Sequence, residues 1–219
     1  PLKYDPKIFC PQTILDRLEY GSESDIVWAL MLCNLSYTPE FNWFVKNVTP
    51  HESITPDQMK YMLVDVMEND TKGLGKRNVS DAFKILLTKT PFGDVIGLGK
   101  CDYEEKVNAS GNEVITLNSF YRDTWGTPNP EVILYALYKF AEACGEYYQF
   151  TLNRLLDHEV DSDGVSPTQI FNLDRSTMEK VLNGLTINHP DFITAQFNLD
   201  LDTITLNADK SSEDVLALL

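Results

Sequence analysis

The tetrapeptide GLGK occurs twice, at 73–76 and 97–100, and is the nearest approach in this chain to a phosphate loop. Such a loop needs GxxxxGK followed by Ser or Thr, so that backbone amides and the lysine cradle the phosphates while the hydroxyl meets magnesium. Arg77 and Cys101 follow instead, so these glycines read as turn geometry and, at Gly97 and Gly99, as a bulged strand. The run EVDSDG at 159–164 echoes the start of a calcium loop. That loop requires an acidic residue at its twelfth position. Counted from Glu159 this is Ile170, and from Asp161 it is Asn172, so the run reads as a solvated turn. Cys10, Cys33, Cys101 and Cys144 form no CxxC, and His51, His158 and His189 stand apart. They read as four reduced, mostly buried thiols of a cytosolic protein, with no zinc site. There is no GxSxG and no HExxH. The expectation is a non-enzyme with no catalytic residue, no cofactor and no metal.

The chemistry that stands out is electrostatic. The stretch 72–100, KGLGKRNVSDAFKILLTKTPFGDVIGLGK, holds six basic residues against Asp81 and Asp94, in a chain whose net charge is −15. Phosphate is repelled by such an acidic surface, so nucleic-acid contact demands a local positive patch. Lys72, Lys76, Arg77, Asn78, Lys84 and Lys89 are the candidate contacts for double-stranded DNA or for a protein partner. Lys76, Arg77 and Asn78 are expected at the N-terminus of a helix over 78–89, where dipole and cations favour phosphate together. Lys84 and Lys89 would flank the groove. Asp102, Glu104 and Glu105, expected in the adjoining loop, oppose a phosphate contact and suit a protein-facing surface.

The elements that must position these residues are written in the hydrophobic spacing and the caps. PQTILDRLEYG predicts a short helix at 11–20, stopped by Gly21. SESDIVWALMLCNLSY predicts a buried one, apolar nearly all round and capped by Ser24. FNWFVKNV predicts a third. TPDQMKYMLVDVM opens with Thr55 as cap, Pro56 at the first turn and Gln58 closing a capping box, with Met59, Met62, Leu63 and Val66 inward. In the 78–89 helix the inner face is Val79, Ala82, Phe83, Leu86 and Leu87. DVIGLGKC and NEVITLNSF read as a hairpin around the polar loop DYEEKVNASG. NPEVILYALYKFAEAC predicts a helix capped by Asn129, and EYYQFTLNRLLDH a further helical segment. A capping box at Ser166 and Gln169 starts a short helix. Asp174 caps the next, with Met178, Val181, Leu182 and Leu185 on one face and Gly184 weakening its end. FITAQFNL and DTITL then read as strands, and SSEDVLALL as either a short docking helix or a frayed end. Helix, turn, helix, hairpin is the recipe of a winged helix-turn-helix, and it occurs twice.

Apolar content of 43% and charged content of 23% are those of a packed globular protein. No run of about 18 apolar residues offers a membrane span. The start at Pro-Leu-Lys-Tyr, without Met or a signal segment, reads as the C-terminal part of a longer protein.

The order ESDIVWALMLCNL, FNWFV, the 77–90 helix, then VSPTQIFNLDRSTMEKVLNGL leading into HPDFITAQFNLDLDTITL resembles a bacterial family of domains of unknown function. Members of that family are often encoded beside, or joined to, proteins similar to phosphoadenosine-phosphosulfate reductases, in DNA phosphorothioation and phage-defence loci. The resemblance implies a genomic setting and a partner enzyme, and carries over no active-site residue. The expected fold is mainly α with small β-hairpins. It comprises two winged-helix-like units packed with additional helices, over 1–126 and 127–219, able to share one core. The expected role is a non-catalytic DNA-associated or adaptor module in the cytoplasm.

Overall fold

The computed structural model describes residues 24–62, 74–94, 96, 99–158, 162–197 and 202–219, with the backbone alone at 74–80 and 94. The helix expected at 11–20 therefore lies outside the described residues, as do Cys10, Leu63, Val66, Lys72, Gly73 and Gly97. The chain is mainly α with two small antiparallel sheets.

The first half opens with α1 (Asp25–Leu35), whose Val27, Ala29, Leu30, Leu32 and Cys33 are buried, as an all-round apolar helix requires. Its predicted cap, Ser24, sits at the N-cap position but makes no capping bond with its side chain. After α2 (Pro39–Asn47) the capping box before α3 (Pro56–Met62) is present: Thr55 N donates to Gln58 Oε1 at 2.7 Å, and Gln58 N to Thr55 Oγ1 at 3.3 Å. The helix predicted from residue 78 is α4, Leu74–Lys89, and starts four residues earlier. Lys76 and Arg77 are good helix formers and extend it backwards through Gly75. Phe83 and Leu87 are buried as expected, whereas Ala82 is exposed. A single turn, α5 (Pro91–Asp94), follows.

The hairpin is displaced from its predicted register. β1 is Lys100–Val107 and β2 is Glu113–Tyr121, so Asp102, Glu104 and Glu105 belong to a strand and the loop shrinks to 108–112. Of the hydrophobics read as the first strand, Ile96 is claimed by the core instead, fully buried. The turn signal was one segment further on, where Asn108 Oδ1 accepts from the amides of Ser110 and Asn112. The bulge falls between Asp102 and Tyr103 rather than at Gly99. Gly99 serves close approach, since a Cβ there would strike the Tyr121 carbonyl.

In the second half α6 (Pro130–Ala143) is the central helix, with Val132 to Tyr138 all buried and Asn129 Oδ1 accepting from Val132 N at 2.9 Å. The helical segment expected next is in part a strand. β3 (Gln149–Phe150) comes first, then Thr151 caps α7 (Leu152–Leu156). Ser166 caps α8 (Pro167–Phe171) through its hydroxyl, which also donates to Leu155 O. Asp174 caps α9 (Arg175–Asn188), which runs on through Gly184. The Thr177 amide bonded to it holds the Asp174 carboxyl below the usual range. β4 (Ile193–Phe197), β5 (Asp202–Leu206) and α10 (Ser212–Val215) complete the chain. The capping box of α10 is formed by Ser211 and Asp214.

The second sheet has the order β3-β5-β4. The first half has a counterpart. Ile54, just before α3, exchanges backbone bonds of 2.8 and 2.9 Å with Phe120 of β2, placing it on the side of β2 away from β1. In both halves a short extended piece before a run of three helices thus lies against the last strand. Buried residues of the two halves merge into one hydrophobic cluster.

Candidate functional site

The basic stretch resolves into α4 with its neighbours α3 and the hairpin. Lys76, Arg77 and Asn78 lie within the first turns of α4 rather than at its cap. The described cations here each have a carboxylate: Lys84 Nζ is 3.4 Å from Asp81, Lys89 3.6 Å from Glu105 across on β1, and Lys100 2.7 Å from Asp123. The bond from Lys100 holds the Asp123 carboxyl below its ordinary value. Lys60 of α3, which sequence reading did not single out, stands 3.2 Å from Asp57. It joins Lys84, Asp81 and Thr116 around a cavity of about 240 Å³ between α3, α4 and β2. The structure therefore brings Lys60 and Lys84 together and turns Lys89 toward the hairpin. Exposed pairs of this kind are worth at most about 1 kcal/mol, and a phosphate or carboxylate of a partner can displace them.

The second half carries 5 basic and 15 acidic residues over 127–219. Four of its five cations are engaged. Arg175, at the start of α9, bonds Glu179 at 3.3 Å, Asp202 at 2.9 Å and the Asn153 side chain. Lys139 pairs with Glu142, while Arg154 and Lys210 lie over the rings of Phe140 and Phe192. This half presents an acidic surface. The Cys33 thiol is pushed up by complete burial, and Cys101 and Cys144 are half-buried. Among the described residues no group of three or more metal-ligating side chains converges. None of the described helices is long and apolar enough to cross a membrane.

The residue that sequence reading missed is Arg122, 2% exposed at the end of β2. One guanidinium nitrogen donates to Val45 O at 2.8 Å and Val48 O at 3.5 Å; the other donates to Gln169 O and, at 3.2 Å, to Ile170 O. It thus ties the end of α2 to the end of α8. Burial pulls its pKa down to about 10, which leaves it a cation near neutrality. Beside it Trp125, also buried, packs on Phe171 with ring centroids 4.8 Å apart.

His158 reaches the same seam, its Nε2 3.0 Å from Thr168 Oγ1. Desolvation first, and then repulsion by Arg122, lower its pKa, against a smaller pull from Asp157. The folded state therefore binds the His158 proton less readily than the unfolded chain, whose value is about 6.5. Its contribution to stability is present above that value and is lost as pH falls through the lowered folded value. His158→Asn should accordingly show a smaller drop in Tm than the wild type between about pH 7.5 and about pH 5, read by thermal scans. The effect is modest because the ring is partly exposed. Equal drops would assign the acid sensitivity elsewhere.

No protein-family model matches the sequence, and no curated protein does. Two solved structures share the fold. An SspB crystal structure is 13% identical with a TM-score of 0.58, over 93% of this chain and 64% of that one. A magnesium ion-bound SspB crystal structure is 15% identical with a TM-score of 0.53, over 84% and 58%. The chain thus spans less than two thirds of the SspB chains it matches, and identities this low speak for the fold alone.

Proposed function

We propose that this chain is a non-catalytic adaptor module of a bacterial DNA-modification or phage-defence system, acting in the cytoplasm by docking a partner enzyme. The observation that carries this reading is electrostatic. A surface of net charge −15 keeps the described cations of its basic stretch beside carboxylates, an arrangement suited to protein contact. The likeness to SspB, a DNA phosphorothioation-associated protein, supports the genomic setting. We read each half as a winged-helix-like unit. The support is the order helix, short extended piece, helices, hairpin, with the extended piece against the last strand in both halves. Winged helices serve protein contact as well as DNA, so fold does not choose between them.

A pull-down of the tagged chain from cells carrying its complete gene cluster should retain the neighbouring product, expected to be similar to a phosphoadenosine-phosphosulfate reductase. An empty pull-down from an intact cluster overturns the adaptor reading.

A second reading, contact with double-stranded DNA through α4, is favoured by the run of Lys76, Arg77, Lys84 and Lys89 along one helix. The same preparation tests it. Duplex affinity that falls steeply with salt, and falls again in Lys76→Glu with Arg77→Glu, supports DNA contact. No duplex binding at low salt removes it.

A further inference from the structure

A second cavity of this chain lies away from the basic helix. It is a groove of about 450 Å³ between the end of α2 and α3. Its floor is apolar: Val48 and Ile54 are buried, and Met62 is half-buried. Its rim carries Glu52, Asp57 and Tyr61, the last 80% exposed. No basic residue lines it among the described residues. Asp57 shares its charge with Lys60 at 3.2 Å, whereas Glu52 has no ion pair among the described residues. The floor is rigidly placed, because Ile54 is bonded through both its amide and its carbonyl to Phe120 of β2.

An apolar floor rimmed by two carboxylates and an aromatic face matches one kind of side chain. It is a long aliphatic stem ending in a cation. Such side chains bury their methylenes along apolar surface and keep the charged head at the rim. There the head meets the carboxylates and the face of Tyr61. Arginine fits better than lysine, since its planar group can stack on the ring and bond a carboxylate at the same time. The net charge of −15 attracts a basic partner from a distance and so favours the same occupant. We propose that this groove is the docking socket for an arginine side chain of a basic segment on the partner protein. The proposal deepens the adaptor reading by naming the surface and chemistry of the contact.

The test needs no knowledge of the partner. N-acetyl-arginine amide is titrated into the ¹⁵N-labelled chain at low salt, with N-acetyl-norleucine amide as the uncharged control. Saturable amide shifts are expected at Val48, Glu52, Ile54, Gln58 and Tyr61 with the arginine probe and not with the control. Glu52→Gln with Asp57→Asn should weaken the probe about tenfold. Tyr61→Ala, at a position 80% exposed and outside the core, should weaken it several-fold. Shifts that are absent from the groove, or unchanged in both variants, overturn the proposal. Because the probe is free in solution, that failure is distinct from an empty pull-down, which speaks only to the adaptor reading.

Discussion

Arg122→Met should lower the unfolding free energy by on the order of 3–5 kcal/mol, the largest loss expected from any single exchange at the seam. The last carbonyls of a helix have no partners within it. In α2, Phe44 O is satisfied by Val48 N, but Val45 O turns to Arg122. In α8, only five residues long, Thr168 O is satisfied by Leu173 N, while Gln169 O and Ile170 O turn to Arg122. One side chain thus ends two helices from different halves, and its positive charge lies at the negative end of both. Methionine preserves much of the volume but leaves these carbonyls buried without donors. Lysine should restore only part of the loss, because a single ammonium cannot span both helix ends as a planar fork does. Urea denaturation checks this as a lower midpoint at an unchanged slope. The shared hydrophobic cluster also predicts one unfolding transition for the wild type rather than two. A loss below about 1 kcal/mol would mean that the carbonyls find other donors and that Arg122 is not the clasp.

None of this was readable in the YRDTWGTP context of Arg122, because its acceptors lie 77 and 47 residues away. What the sequence did disclose was local. Caps act within four residues, so Asn129, Asp174 and the box of Thr55 and Gln58 reveal helix starts directly. The inner faces of α6 and α9 follow from helical periodicity for the same reason. Strands fared less well, since a strand is defined by a partner elsewhere in the chain. β1 carries charges at alternate positions and is exposed along nearly all its length, so no hydrophobic pattern marks it. Backbone pairing to β2 alone sets it. β3 has two residues and exists because β5 is beside it. The candidate interface divides in the same way. Lys84 and its partner Asp81 are three residues apart and legible together, whereas the pairing of Lys89 with Glu105 depends on where the hairpin folds back.

The second large effect is expected at Gly164, where the calcium-like run EVDSDG ends. Gly164→Val should cost roughly 2–3 kcal/mol through overpacking. A Cβ built at this buried glycine would lie 2.7 Å from both Cys144 Sγ and Phe140 Cδ2, and 2.9 Å from Phe140 O. The last is backbone of the central helix α6 and cannot swing aside. The glycine is therefore what lets the loop before α8 lie flat on α6. The residues just before it are held by protein groups: Ser162 O accepts from Lys46 Nζ at 3.0 Å, and Ser162 Oγ donates to Gly164 O at 2.8 Å. Asp163 is exposed. A packing glycine and an ion-binding glycine make opposite forecasts for the neighbouring acid. If packing is the reason for Gly164, Asp163→Asn leaves Tm within the scatter of an ordinary surface exchange, and calcium stabilises neither protein. If the run binds an ion, calcium raises the Tm of the wild type and Asp163→Asn abolishes the rise. Thermal scans of the wild type, Asp163→Asn and Gly164→Val, each with and without calcium, separate the two. The contact distances at Gly164 favour the first outcome, because they place the constraint on the inner side of the loop, against α6, while the carboxylate of Asp163 faces solvent.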